Sequence, residues 1–486
     1  MRNTVFPFAA GRLRAAICLF MALVIALGPL ASVRPASADI FGDFPIKKEK
    51  ELGEKYNALM RARLPIIEDP EIADYVRGIV ERISEQVPTM PFELTTSVVL
   101  NHNINAFAAP AGYVYVFTGL ITNFEHEAEL AGVIAHELAH VSHRHLAGRI
   151  KQQQMTQMGM LAGMLAGMFL GVAAGGNNAA EAGEALIYGS LAGGTQAMLN
   201  YSRVDEREAD QSGLTYLVGA GYNPEGMVSA FRKIKKKSWL AGGGNMPQYL
   251  STHPAVEERV SYLDTMIEGL DPEVRKRPLD DTRFLRIKAL ITARYLDPQV
   301  ALAAFDVPQG ENGALSAMGK GIVHARENRI TEARAAFEQA VQLAPNDTLV
   351  LREAGRFHYL KGDQNLAALY LQKAVLLNPR DLFALFYHAR LLGDRGDTEN
   401  AVKAYRRILA KLPEDSEVQY HLGRVLGESG QLFDGHLHLA YSAIYGLQKK
   451  QARFHMDKAE AFAKSDAQKE AFAELRKVYE ARSEFW

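Results

Sequence analysis

His136, Glu137 and His140 lie in the run Gly132-Val133-Ile134-Ala135-His136-Glu137-Leu138-Ala139-His140. Residues four apart on a helix stand one above the other on a single face. Both histidines can therefore point a ring nitrogen at one metal ion, about 2.0–2.1 Å away for zinc. Glu137 sits beside them and can serve as general base toward a metal-bound water. Such a site needs a third protein ligand and an open fourth position. Ser202-Arg203-Val204-Asp205-Glu206-Arg207-Glu208-Ala209-Asp210 reads as a second helix with Glu206 and Asp210 on one face. Glu206 can supply the third ligand. Asp210, one turn on, can accept the spare N–H of a ligating histidine and raise its basicity. His143 and His145 lie beyond the helix-spaced pair and read as outer or surface histidines.

Other elements must position these groups. Lys47 to Met60 is a charged amphipathic helix, and Pro70-Glu71 opens another running toward Gln86. Val98 to Leu100, Asn105 to Ala108 and Tyr113 to Phe117 are short strand-like runs broken by Asn and by Pro110-Ala111-Gly112. They predict a small antiparallel sheet with its edge beside the HExxH helix. That edge either holds an extended peptide by strand addition or is simply covered.

Around this core the chain divides. It has 486 residues, 48% of them hydrophobic, and a formal net charge of −1, which describes a globular protein with more than one core. The run Arg232, Lys233, Lys235, Lys236, Lys237 is too local for a nucleic-acid footprint and reads as a solvated helix face. Residues 1–38 carry Arg2, Arg12, Arg14 and Arg34 and no acid. An apolar core from Ala15 to Leu27 and the small-residue site Ala36-Ser37-Ala38 complete a secretory signal peptide, with Asp39 the first mature residue. An uncleaved membrane anchor is the competing reading. The one cysteine, Cys18, falls inside this segment, so the mature chain carries no disulfide chemistry into an oxidising compartment. A bacterial periplasm fits. Residues 155–176, rich in Met, Gly and Ala, predict an amphipathic hairpin that covers the site or touches a membrane surface; a transmembrane helix and a buried core segment are the alternatives.

Taken together, His136-Glu137-xx-His140 and Glu206-xxx-Asp210 resemble the HtpX and CAAX-prenyl-peptidase family of zinc metallopeptidases. Asn105-Ala106-Phe107-Ala108-Ala109-Pro110-Ala111-Gly112 is similar to that family's edge strand, and Thr252-His253-Pro254 with Arg259 to its second active-site segment. The resemblance spans roughly residues 45–270. It implies an α+β zincin-type domain and one zinc ion per chain, held by His136, His140 and Glu206. It further implies that Glu137 is the base, that Asp210 orients a ligand, and that His253 and Arg259 sit at the cleft. His253 could donate to the oxyanion, or could occupy the fourth zinc position and hold the resting enzyme shut, on a loop loosened by Gly242-Gly243-Gly244.

After a polar linker at 271–281, the chain repeats every 34 residues. Pro345, Pro379 and Pro413 mark the period, with Gly321/Gly355 and Ala333/Phe337/Ala340 against Ala367/Leu371/Ala374 in register. Ala401 and Tyr405 continue it, and Gly423 opens a fourth copy. This resembles the tetratricopeptide repeat, an α-solenoid whose concave face binds a partner's segment. A weaker pair precedes it at 283–305, and 450–486 forms a fifth pair or cap. The expected layout is a signal peptide at 1–38, a peptidase domain at 39–270, the linker at 271–281 and repeats at 282–486. The expected fold class is mostly α with a small antiparallel sheet.

As a whole the chain resembles periplasmic peptidases that serve outer-membrane assembly. That implies a metalloendopeptidase with a chaperone-like role, misassembled or unfolded outer-membrane proteins as substrates, and the β-barrel assembly machinery as partner through the repeats. The alternative is chiefly a repeat-based assembly factor with an autoinhibited zinc site; an integral-membrane peptidase is a further one.

Overall fold

The computed structural model describes residues 45–152, 201–240, 248–306 and 313–482. The signal-peptide, hairpin and Gly242-Gly243-Gly244 expectations fall outside the described residues. Helix α1 (Ile46–Arg63) and helix α2 (Pro70–Ser84) precede the sheet. Asp69 caps α2 by accepting from Glu71 N, with Pro70 in the first turn, where its missing N–H costs nothing. The strands are β1 (Thr95–Val99), β2 (Ala106–Ala109) and β3 (Tyr113–Phe117).

The sheet is mixed, which corrects the antiparallel expectation. Its order is β1-β3-β2, with β2 antiparallel to β3 but β1 parallel to it. β3 has Val114 to Phe117 buried and so takes the centre, where both faces are covered. The chain leaves β1 through Asn101, whose N–H and C=O both bond Thr118 Oγ1, and begins β2 on the far side of β3. All four residues of β2 are buried.

After α3 (Thr118–Asn123) comes α4 (Glu127–Ser142), the HExxH helix, buried from Ala128 to Val141. It is followed by α5 (His145–Gln152), α6 (Arg203–Gly219), α7 (Glu225–Leu240), α8 (Gln248–Thr252), α9 (Val256–Glu268) and the short α10 (Pro272–Arg275). The basic run on α7 is largely paired: Arg232 with Asp264, Lys233 with Glu125 and Glu129, Lys235 with Glu257. Among the described residues, no helix is long and apolar enough to cross a membrane.

Paired helices fill the rest: α11 (Thr282–Tyr295) with α12 (Pro298–Asp306), α13 (Gly313–Arg326) with α14 (Ile330–Leu343), and α15 (Thr348–Leu360) with α16 (Gln364–Leu377). Then come α17 (Leu382–Asp394) with α18 (Thr398–Leu409), α19 (Ser416–Glu428) with α20 (Leu432–Tyr445), and α21 (Lys449–Phe462) with α22 (Asp466–Arg482). The 34-residue period has local causes. Asp347, Asp381 and Asp415, two residues after each proline, cap α15, α17 and α19. Gly362, Gly396 and Gly430 take φ of 80–84° at the turn inside each pair, a backbone conformation that favours glycine.

One hydrophobic cluster runs from Ile67 through the HExxH helix to Phe357, so the first paired helices share the core that supports α4. Polar groups join the same region. Arg294 reaches Asp69 and, at 2.7 Å, Glu353; Arg352 binds Glu353 and Asp381 at 3.1 Å each, and also Glu71. Asp281 accepts from Glu127 N at 2.8 Å, capping α4 from the far side of the polar linker.

Candidate metal centre

Two glycines let neighbouring helices close on α4. At Gly132 a Cβ would lie 2.6 Å from Met227 Cα, and at Gly213 it would lie 3.1 Å from Ala135 O and from His136 N and Cα. Glu206, Asp210 and Gly213 fall at i, i+4 and i+7 of α6, so the face that meets α4 is also the face that carries the carboxylates. Ser202 and Asp205 form a capping box that starts α6 one turn before Glu206. His253 follows α8, its N–H bonding Tyr249 O at 2.9 Å, and Ala255 turns the chain at φ 60° into α9, which carries Arg259.

All seven residues singled out in the sequence surround one point. His136, His140, Glu206 and His253 offer ligand atoms within 4.8 Å of one another, and all four are buried. His136 Nε2 lies 3.0 Å from His140 Nε2 and 3.2 Å from His253 Nδ1. Glu206 lies 2.8 Å from His253 Nδ1, 3.4 Å from His140 Nε2 and 3.6 Å from His136 Nε2. A tetrahedral zinc centre with arms of about 2.0–2.1 Å has edges near 3.3–3.4 Å. The observed separations scatter around that value, and three imidazoles with one carboxylate are a donor set suited to it. The residues present therefore fit a metal ion.

The protonation of His136, His140 and Glu206 suits ligation as well, whereas burial works to lower His253 but Glu206 and Glu137 outweigh it and push it up. Burial, then the neighbouring Arg259, pushes His136 down to about 4, and burial holds His140 well below the usual imidazole value, so both are neutral. Burial works to raise Glu206, but His253 and Arg259 outweigh it and hold the carboxyl ionised. Neutral imidazole and carboxylate are the forms that bind metal.

Asp210 Oδ1 stands 2.9 Å from His136 Nδ1, which fixes that ring with Nε2 toward the cluster. Asp210 is itself held by Arg259 through Nε and a terminal nitrogen at 2.8 and 2.7 Å, and by the Tyr262 hydroxyl. Arg259 also reaches Glu206 at 2.5 Å. Glu137 is buried; its Oε2 accepts from Ala108 N on β2 at 3.2 Å, while Oε1 accepts no hydrogen bond and lies 3.4 Å from His253 Nε2. Burial pushes its carboxyl up to about 7.

Sequence reasoning missed two groups. Tyr201 stacks on His140 at 3.8 Å between ring centroids, and Tyr249 stacks on His253 at 4.3 Å. Tyr201 lies just before the N-cap Ser202, and nothing in its residue type or spacing marks it as a neighbour of His140. His145, expected as an outer or surface histidine, is an outer one: it is buried with its Nδ1 2.8 Å from His140 Nδ1.

The pattern of peptidase family M48 matches residues 70–267, and that of the tetratricopeptide repeat matches 316–381 and 388–432. Residues 70–267 are thus similar to the M48 peptidases and 316–381 with 388–432 to tetratricopeptide repeats, and the buried His/Glu cluster lies within the M48 match. It is similar to the beta-barrel assembly-enhancing protease of Escherichia coli, at 26% identity over 68% of this chain and 69% of that one. A Vibrio cholerae relative is 30% identical over 63% of this chain, which spans only 62% of that relative's length. A mitochondrial metalloendopeptidase of Arabidopsis thaliana is 33% identical over 33% of this chain and 29% of its own. Among solved structures, a tetratricopeptide-repeat protein with an unusual peptide-binding site aligns with 37% of this chain and 92% of its own, at 20% identity and a TM-score of 0.31.

Proposed function

We propose that this chain is a zinc-dependent metalloendopeptidase of the periplasm, exported by the segment 1–38, that degrades misassembled outer-membrane proteins and assists their assembly. The observation that carries the proposal is the buried His136–His140–Glu206 set with Glu137 one residue along the same helix. Zinc bound there would supply a Lewis acid and a water of lowered pKa. Glu137, buried and with no hydrogen bond to Oε1, takes a proton and delivers it to the leaving amine. Asp210 and Arg259 keep His136 and Glu206 oriented. A substrate strand added at β2 would compete for Ala108 N–H, which Glu137 holds in the resting structure.

His253 Nδ1, so close to His136 and Glu206, supports its reading as a fourth ligand that shuts the resting site. The same closure favours the second reading, an assembly factor whose peptidase is normally silent. In the peptidase–repeat layout of 39–270 and 282–486, the shared core supports the two acting as one body. Partner binding through the repeats is supported by Arg356, Arg390 and Arg424, one period apart on α15, α17 and α19. Arg390 lies over the rings of Tyr359, Phe386 and Tyr387 at 5.1–5.6 Å.

The test is cleavage of an unfolded outer-membrane protein by wild type, Glu137→Gln and His253→Ala. Glu137→Gln should bind zinc yet lose cleavage, and His253→Ala should cleave faster. Residual cleavage at the wild-type rate in Glu137→Gln would end the peptidase reading; unchanged or slower cleavage in His253→Ala would end the inhibitory one.

A further inference from the structure

Beyond the buried cluster, the described residues bring metal-ligating atoms together at one other place. His143, His145 and Glu208 offer ligand atoms within 4.8 Å of one another. Glu208 stands between two rings, Oε1 at 3.3 Å from His143 Nδ1 and Oε2 at 3.1 Å from His145 Nε2. The rings themselves stack, centroids 5.4 Å apart and 13° from parallel. Helical residues two apart do not face each other. These two do because Arg144 between them takes φ 52°, a conformation costly for a residue with a Cβ. Its guanidinium is held in place by Glu49 at 2.7 Å.

This group differs from the buried one in access. The Glu208 side chain is 52% exposed and that of His143 29%, whereas His145 is 6% exposed and leans on His140. An ion can therefore arrive from solvent without opening the protein. Two imidazoles and a carboxylate favour a borderline cation such as zinc over magnesium or calcium.

We propose that His143, His145 and Glu208 form a second, outer site for a divalent zinc-like cation, and that filling it antagonises the inner site. The inference rests on the zinc-peptidase reading of the inner cluster. The two sites meet at the His140 Nδ1 to His145 Nδ1 contact of 2.8 Å. When His140 offers Nε2 to the inner cluster, its ring hydrogen is on Nδ1 and is donated to His145 Nδ1. The hydrogen of His145 is then on Nε2, directed at Glu208. An outer ion needs the lone pair of that same Nε2, which is free only when the hydrogen has moved to Nδ1. Two N–H groups would then face each other across the contact. The outer ion must break the bond that orients His140, and by linkage an inner ion weakens the outer one to the same degree.

The experiment uses the full chain loaded with one zinc ion and then given successive additions of zinc. Bound metal is counted at each addition, and cleavage of an unfolded protein is measured alongside. Wild type should take up a second, weaker ion, and activity should fall about fivefold or more as it fills. His143→Ala should take up only the first ion and lose the inhibition by excess zinc, each protein being compared with its own rate at one ion per chain. Glu208→Gln should behave likewise. Uptake that stops at one ion in wild type overturns the outer site, as does a second ion bound equally well by His143→Ala. Two ions with undiminished activity overturn the antagonism. A chain that binds no zinc at all sinks the peptidase reading and this inference with it.

Discussion

Replacing Gly213 by Ala perturbs the metal centre without removing any group that belongs to it. The new Cβ would stand 3.1 Å from Ala135 O and from His136 N and Cα, all backbone atoms of the HExxH helix. Backbone cannot swing aside as a side chain can, so α6 must retreat by a few tenths of an ångström. Two effects oppose each other in stability. Alanine is the better helix former by about 0.8–1.0 kcal/mol. Overpacking a filled contact costs about 1–3 kcal/mol. The net is a loss of roughly 0–2 kcal/mol, too small a window to decide anything alone. Metal affinity decides it. Glu206 and Asp210 ride on the displaced helix, and a ligand set tolerates only about 0.5 Å of misplacement. A retreat of that order should weaken zinc binding about tenfold, about 1.4 kcal/mol. Chelator competition gives the affinity, and thermal unfolding with and without excess zinc gives the stability. The holo form should lose more Tm than the apo form. Gly148→Ala is the control, because among the described residues no atom beyond its own helix backbone and chain neighbours lies within 4 Å of its Cβ position, and it should bind zinc as wild type does. If Gly213→Ala holds zinc within twofold of wild type, with apo and holo Tm shifted alike, the close approach of α6 does not set the ligand geometry.

Asp210→Ala removes the acceptor 2.9 Å from His136 Nδ1, and zinc affinity should fall about 10–100-fold in the same competition assay; undiminished affinity and activity would remove Asp210 from the site. Arg352→Met leaves Glu353, 1% exposed, short of a partner and should cost about 3–5 kcal/mol in chemical denaturation; a cost below ~1 kcal/mol would mean that the network contributes little. Burial works to raise the Glu353 carboxyl, but Arg294, Arg352 and Arg356 outweigh it and hold it down at about 2. Its contribution is therefore fully present above its usual value of 4.5 and is lost as pH falls from there toward 2. Unfolding curves across that window should be steeper in pH for wild type than for Glu353→Gln, and parallel curves would contradict the assignment.

The buried cluster was legible in part through helix spacing, while His253 and Arg259 came only from the family resemblance. His136 and His140 are four apart, as are Glu206 and Asp210, and period alone places each pair on one face. The contact of His145 with His140 was not legible, for the complementary reason. Spacing extrapolates a helix that Arg144 breaks with a left-handed turn, and nothing in the type of an arginine announces that conformation. The strands were found from their apolar residues, but their directions were not, because the parallel pairing of β1 with β3 depends on where the chain crosses after Asn101. The repeats were legible through self-similarity, whose physical content is a cap aspartate and a turn glycine in each copy.

Polarity in the linker carried a meaning that composition hides. A helix buried from Ala128 to Val141 still has free N–H groups at its first turn, and a buried one without a partner costs about 1–3 kcal/mol. Glu129 accepts from His126 N at 3.3 Å, and Asp281 accepts from Glu127 N. Lys288 on α11 donates to Phe124 O at 2.5 Å just ahead of the same turn. The groups that seat the start of the HExxH helix therefore come partly from residues beyond 280, and the cluster that packs its flank extends to Phe357. Cutting the chain at the linker would strip a cap and part of a core from the element that carries His136 and His140. The first paired helices are therefore tied to the buried cluster through the start of one helix as well as through a common core.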